Sequence, residues 1–528
     1  MRFFRWIRLF AKCLWPIGYV TLQKNRTNEK IIKFCSRSEL CNSLVGVVIF
    51  WFAGVQAIQL NWMISLEYMG PGILVVYFFV ILALGLQFAL LTHCIRLPMT
   101  WLQIVGLSGF WVLMEWVRLF FLTGFPWNPI GLTLAASSYS IQMASLVGVY
   151  GLCFWVVFVN LLLLKNPFSK AWIVFALLPY GYGIVHQYIL KRALPPGKEL
   201  SVALVQTALR PEQRDYFPSK PAEHLAPLIQ WDLILSYFAN LHKDRFDLIV
   251  LSEGAVPNGP WQAKYPFAST QAIWQRHFGQ KALSAFPLGD EKRVSNGFLI
   301  QALANHFQAE VIAGLDDREG NRVYNAAFHF SPKTLSALPN PINRYHKQIL
   351  IPLGEYMPFQ EWKWLSDFSA ETFGIPSSFS PGNEVKIFPG IVPVGVFICL
   401  EEAYSQFVRE IRRQGAELFV NLTNDVWFPE SRFPWHHFDH GRLRAVENGV
   451  CLLRATNTGV TAAIDCFGDP LAIFPPSEKN AGILDVNIAT RSYSTIYTFL
   501  GDVPVLVVSG FFLALLTLDR MLRKKKLL

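Results

Sequence analysis

The feature that most limits what this chain can fold into is the near absence of charge between residues 43 and 190, a stretch far too apolar to face water on all sides. A hydrocarbon core about 30 Å thick takes roughly 20 apolar residues per helix. Five runs meet that length, at about 43–62, 72–91, 100–122, 142–164 and 170–190, and a sixth lies near 503–520. Each predicts a membrane-spanning helix. Lys24, Arg26, Lys30, Lys33 and Arg37 precede the first run, and Lys165 with Lys170 separate the fourth from the fifth. Positive charge in short loops marks the cytoplasmic side. Five crossings then carry the chain outside before residue 195, and the last returns it so that Arg523, Lys524, Lys525 and Lys526 lie inside.

Residues 191–498 carry the ordinary charge mixture of a globular domain, and they are long enough for a substantial core. Short β-branched and apolar runs recur there, at 201–207, 246–254, 309–316, 392–399 and 416–425, with later ones at 451–465 and 481–488. They read as buried strands. Helical composition at 221–243 and 402–414 lies between them, which makes the pattern α/β. Residues 1–40 form a separate basic segment whose first 20 residues are amphipathic, predicting an interfacial helix or a degraded hairpin. The predicted domains are therefore 1–40, a helical membrane domain 41–192, a catalytic domain 193–498 and a C-terminal helix with a basic tail, 499–528.

A net charge of +10 invites a nucleic-acid reading, but many of the cations flank apolar runs and no nucleic-acid motif appears. Of eight cysteines only Cys399, Cys451 and Cys466 fall in the globular part, without CxxC spacing. An odd number leaves at least one free thiol unless its partner lies elsewhere.

Cys399 ends the apolar run VPVGVFIC, at the C-terminal edge of a strand and just before a helix, where α/β sheets hold reactive groups. A helix N-terminus there would favour the thiolate. Glu253 ends FDLIVLSEG in the same way, offering a carboxylate that can take a thiol proton. Lys347, in RYHKQILIPLGEYMPF, supplies a cation suited to an oxyanion. Taken singly, each has a plainer reading: a buried small hydrophobe, a strand-end cap and a solvated lysine.

In combination and in this order, the three resemble the catalytic set of the nitrilase or carbon-nitrogen hydrolase superfamily. LSEGAVP, KQILIPLGEYMPF, VFICLEEAY, NLTNDVWF and LLRATNTGVTAAID are similar to that superfamily's motifs over roughly 200–490. Within it, FWFAGVQAIQLNWMISLEYMGP and WVLMEWVRLFFLTGFPWNPIG resemble the membrane portion of the apolipoprotein N-acyltransferases. The resemblance implies a membrane all-α bundle joined to an α/β nitrilase-like domain, an αββα sandwich. It implies Cys399 as nucleophile, Glu253 as general base and Lys347 as oxyanion stabiliser. Glu355 and Glu401 would support the site, while Asn424 and Trp427 would line the substrate cleft. Family members commonly carry an aromatic residue after the nucleophile, and here it is Leu400.

The implied reaction is ping-pong transfer of a fatty acyl chain from a phospholipid, through a cysteine thioester, to the α-amine of a diacylglyceryl-cysteine lipoprotein. The expected setting is the bacterial inner membrane with the catalytic domain on the periplasmic side, as a monomer that uses membrane lipid and needs neither cofactor nor metal. A membrane-tethered amidase or nitrilase would use the same residues with water as acceptor, and a scaffold would retain the domain without chemistry. His436, His437 and His440 invite a metal, but no HExxH pattern accompanies them. Glu115 and Arg118, three apart in a membrane helix, are expected to neutralise each other.

Overall fold

The structure is a computed structural model that describes residues 38–217, 220–287, 292–332, 341–356, 358 and 379–525. The expected N-terminal segment therefore lies outside the described residues up to residue 37. The chain divides into two compact units, one made of the N-terminal helices together with the segment from Phe499, the other spanning Leu190–Thr498.

The helical unit contains α1 (Ser38–Gln59), α2 (Ile73–His93), α3 (Trp101–Val117), α4 (Ala144–Lys165), α5 (Ala171–Ala193) and a C-terminal helix, Val503–Lys525. Among the described residues five helices are long and apolar enough to cross a membrane, while α1 offers only the shorter apolar stretch Val45–Gln59. The first helix ends at Gln59, three residues before the expected 62, because the chain leaves it into a 3₁₀ turn at Asn61–Met63. Short 3₁₀ segments at Ile130–Ala136 and Ser140–Met143 precede α4, and the sequence reading did not anticipate them.

Apolar side chains gain little from burial against one another in lipid, so helices associate there through close fit. Glycine provides it: a Cβ on Gly109 would lie 2.7 Å from Ser509 Cα, and one on Gly106 would lie 3.0 Å from Leu516 Cδ2. Phe52 and Phe88 stack between α1 and α2 with ring centroids 4.3 Å apart. Glu115 is buried, its Oε1 accepting the Ile130 backbone N–H at 2.9 Å with Arg118 Nη2 at 3.7 Å. Arg118 also donates to Asn128 Oδ1 at 3.0 Å, so the neutralisation extends from the pair to a small polar cluster.

The second unit is built on two six-stranded sheets. The first contains β1 (Lys198–Gln206), β2 (Leu248–Leu251), β5 (Glu310–Glu319), β6 (Arg322–Phe330), β7 (Asn343–His346) and β14 (Gly482–Thr490), in the order β14-β1-β2-β5-β6-β7. The second contains β8 (Ile387–Phe388), β9 (Val394–Ile398), β10 (Leu418–Thr423), β11 (Cys451–Thr456), β12 (Thr461–Ile464) and β13 (Pro470–Phe474), in the order β13-β12-β11-β10-β9-β8. A two-stranded ribbon joins β3 (Tyr265–Pro266) to β4 (Arg293–Val294). Strands β1, β2 and β5 are parallel, as are β9, β10 and β11, and antiparallel strands flank each trio.

Successive side chains on a strand point to opposite faces, and both faces of these sheets are apolar. Leu200, Val202 and Leu204 of β1 join Val394, Val396 and Ile398 of β9 in the core between the sheets. Their alternates, Ala203 and Val205, pack outward against Trp231, Ile234 and Phe238 of α6 (Pro227–Ala239). Trp274 of α7 (Phe267–Phe278) and Leu303 of α8 (Asn296–Phe307) extend that outer layer. On the far side, Phe397 and Phe419 pack against α9 (Ser405–Arg413) and α10 (Phe433–Asn448). The result is the αββα sandwich. Parallel strands with both faces covered explain why β2 and β9 read as unbroken apolar runs.

Candidate active site

The all-buried strand β9 delivers Cys399 at its C-terminal end, where the backbone turns sharply into a 3₁₀ segment, Cys399–Ala403. Cys399 sits in the left-handed region at φ +51, which for a non-glycine residue stores about 1–3 kcal/mol. Donors behind the turn hold it there: Asn421 Nδ2 and His437 Nε2 reach the Cys399 carbonyl at 3.4 and 3.2 Å. His437 is itself fully buried, with Nδ1 at 2.9 Å from Asp425 Oδ1 and Nε2 at 3.3 Å from Glu402 Oε2. Arg454 grips Glu402 through Nε at 3.0 Å to both oxygens and Nη2 at 2.8 Å. The histidine that invited a metal reading is thus part of the turn that presents the thiol.

Glu253 comes from the loop after β2 in the other sheet. Close approach makes room for it: a Cβ on Gly314 of β5 would fall 2.6 Å from Ser252 O and 2.7 Å from Glu253 Cα, so only glycine fits there. Lys347 follows β7 directly and is fully buried, with Nζ 3.3 Å from Glu253 Oε1 and 2.9 Å from Glu355 Oε1. Asn325 of β6 donates to both carboxylates, at 2.6 Å to Glu253 Oε1 and 2.8 Å to Glu355 Oε1. Glu355 Oε2 in turn accepts the Ile351 backbone N–H at 3.0 Å. Asn325 was missed in the sequence, although a polar residue in the apolar run RVYNAAFHF was a signal for it.

Burial raises the Glu253 pKa above the ordinary carboxylate value, with Lys347 pulling it back and Glu355 adding to the rise. Burial alone would strip the Lys347 proton, but the carboxylates of Glu253 and Glu355 outweigh it and hold the pKa well above the usual lysine value. Cys399 lies within the field of the same groups: burial and then Glu253 push its thiol pKa well up, against the pull of Lys347. These influences together favour the thiol over the thiolate. This corrects the expectation of a thiolate stabilised by a helix N-terminus, because the helix is a short 3₁₀ segment and desolvation dominates. A buried thiol beside a carboxylate of raised pKa and a fixed ammonium is suited to proton transfer during attack on a carbonyl.

Glu401 stands behind this group rather than in it. Its Oε1 accepts from Tyr345 Oη at 2.7 Å and from the Gln348 and Ile349 N–H groups at 2.7 and 3.1 Å, while Oε2 accepts from the Ile398 N–H at 2.7 Å. It ties the strand before Cys399 to the segment after Lys347, and burial raises its pKa to about 7. Asn424 Oδ1 accepts from Asn457 Nδ2 at 3.0 Å and from the Val426 N–H at 3.3 Å, so it fixes loop geometry. Trp427 is 37% exposed, on the surface rather than in the core. Cys451 and Cys466 are buried free thiols. Among the described residues, the group able to share a cation is Asp317, Glu319 and His346. Arg344 already occupies both acids, lying 3.1 Å from Asp317 Oδ2 and in contact with Glu319.

Residues 202–497 match the carbon-nitrogen hydrolase family, and residues 32–162 match the apolipoprotein N-acyltransferase N-terminal domain. The apolipoprotein N-acyltransferase of Chlamydia pneumoniae is 33% identical over 487 residues, covering 87% of this chain and 85% of that protein. Its namesake in Chlamydia trachomatis is 32% identical, covering 88% and 85%. The Haemophilus influenzae protein of the same name is 25% identical, covering 97% and 92%. Among solved structures, a nitrilase-superfamily protein of Saccharomyces cerevisiae aligns at TM-score 0.35 and 19% identity, covering 59% of this chain and 96% of that one. The bacterial relatives and the apolar helices fit a protein of the bacterial inner membrane. With similarity running through both units, the chain belongs to the apolipoprotein N-acyltransferase family and is an N-acyltransferase.

Proposed function

We propose that the chain moves a fatty acyl group from a membrane phospholipid to the N-terminal α-amine of a diacylglyceryl-cysteine apolipoprotein, in the final step of lipoprotein maturation, through a thioester on Cys399. The observation that carries this reading is the Glu253–Lys347–Glu355 cluster bridged by Asn325, in whose field the strained Cys399 sits.

In the first half-reaction Cys399 Sγ attacks the ester carbonyl of the donor while its proton passes to Glu253. Lys347 balances the oxyanion as it forms. The C–S bond is made, the C–O bond breaks, and Glu253 returns the proton to the departing glycerol oxygen of the lysophospholipid. In the second half the acceptor amine attacks the thioester, Glu253 takes the amine proton and the released sulfur receives it, leaving an amide. Glu355 keeps Lys347 charged and aimed, and Glu401 anchors the strand before the nucleophile. Asn424 and Trp427 border the acceptor's path. The catalytic domain, residues 193–498, works on the periplasmic side of the membrane in a monomer.

The test uses the purified full chain with phospholipid and a diacylglyceryl-cysteine peptide. Amide-linked triacylated peptide and lysophospholipid in equal amounts are expected. Free fatty acid without amide would mean that water is the acceptor and the protein a membrane-tethered hydrolase.

A further inference from the structure

A cavity of about 710 Å³ opens in the catalytic unit beside the Glu253 loop, with Trp261, Lys264, Arg293, Asp316, Asp317 and Arg318 in its wall. Its charge is less balanced than that composition suggests. Asp317 is spoken for by Arg344 at 3.1 Å and His346 at 2.7 Å. Asp316 is half-buried and feels Arg214 first among its neighbouring cations and Arg318 after it. Lys264, Arg293 and Arg318 are exposed; Arg318 acts on Asp316 without contacting it, and among the described residues none of the three makes a direct ion pair with a carboxylate. Arg293 is oriented rather than loose, since its Nε and Nη2 donate to the Lys264 carbonyl at 3.2 and 2.6 Å. Three cations around one opening, with the half-exposed Trp261 beside them, fit a phosphate on an organic backbone.

The strand register connects this cavity to the reacting group. Asp316 of β5 is paired with Asn325 of β6, and the Lys347 N–H donates to Asn325 O at 2.9 Å. Residues directly opposite share a face, so Lys347, Asn325 and Asp316 form a row across the sheet, and Arg318 continues it two positions along β5. Strands lie about 4.8 Å apart and rise about 3.3 Å per residue, which places the Arg318 backbone roughly 12 Å from that of Lys347.

We propose that this cavity seats the phosphate of the acyl donor's head group, so that Lys264, Arg293 and Arg318 hold the glycerol ester in line with Cys399. The proposal rests on the reading that Cys399 takes its acyl group from a phospholipid. The same chemistry would also accept free inorganic phosphate, and the experiment separates the two.

The full chain in detergent is compared with a Lys264→Ala, Arg293→Ala, Arg318→Ala variant, using a phospholipid and a phosphate-free p-nitrophenyl ester of the same fatty acid as donors. Intact mass spectrometry follows the rate of adduct formation from each. The expected result is a fall of roughly tenfold in the ratio of phospholipid to p-nitrophenyl ester rates, the scale left to charge-assisted contacts from exposed cations. An unchanged ratio overturns the proposal. So does inorganic phosphate that slows both donors equally in the unsubstituted protein, because the site would then serve a free anion. Should that protein form an adduct from the p-nitrophenyl ester and none from phospholipid, the donor reading itself fails, an outcome distinct from an unchanged ratio.

Discussion

Replacing Lys347 by methionine removes the cation that bridges Glu253 and Glu355, in a place where its own side chain has no exposure and each carboxylate has 11%. The methylene stem is kept, so packing changes little and electrostatics decides the outcome. Two carboxylates then share the Asn325 amide without Lys347 against them, and stripping one partner from a buried ion pair costs about 3–5 kcal/mol. At roughly 2 °C per kcal/mol for a unit of this size, the melting temperature should fall by about 6–10 °C. One carboxylate will take up a proton, and with the oxyanion cation also gone the rate of thioester formation should drop at least about 10²–10³-fold. Adding Glu355→Gln restores the net charge of the cluster. The double variant should therefore melt above the Lys347→Met protein while remaining inactive, a negative coupling between the two substitutions. Thermal unfolding in detergent and adduct formation from phospholipid measure the two quantities. If the melting losses of Lys347→Met and Glu355→Gln simply add, the cluster is not the coupled unit described and the reasoning fails.

Two other predictions follow from the same site. Glu253 must be ionised to accept the thiol proton and its pKa is raised, so thioester formation should rise with pH through a limb lying above the ordinary carboxylate value near 4.5. A rate profile whose acid limb falls at or below 4.5 would contradict the burial argument, and a Glu253→Gln variant should lack the limb. Behind Cys399, Arg454→Leu leaves Glu402 buried without that cation and should cost about 3–5 kcal/mol of stability, whereas Arg454→Leu with Glu402→Leu should recover much of it, read from melting temperatures.

The architecture was legible because its signals are local and periodic. Charge-free runs marked the membrane helices to within a few residues, and unbroken apolar runs marked β2 and β9, since those strands bury both faces. Cys399, Glu253 and Lys347 stood out for the same reason, each following directly on such a strand or set in a distinctive phrase. What stayed hidden depends on contacts distant in sequence. Asn325 looks like one polar residue in a strand until the fold brings it to Glu253, 72 positions away, and Glu355. His437 reads as part of a histidine cluster until α10 lays it against the Cys399 carbonyl. The influences on the Cys399 thiol run against the helix-terminus argument, because desolvation is a property of the packed core and leaves no trace in the residues next to it.

The account stands on a covalent acyl group at one sulfur, and intact mass spectrometry after incubation with phospholipid alone, without acceptor, tests that directly. The predicted result is a mass gain of one acyl chain located at Cys399, released by hydroxylamine and missing from Cys399→Ser. An unmodified protein that nonetheless acylates peptide when acceptor is added would contradict it, since transfer would then proceed without the thioester.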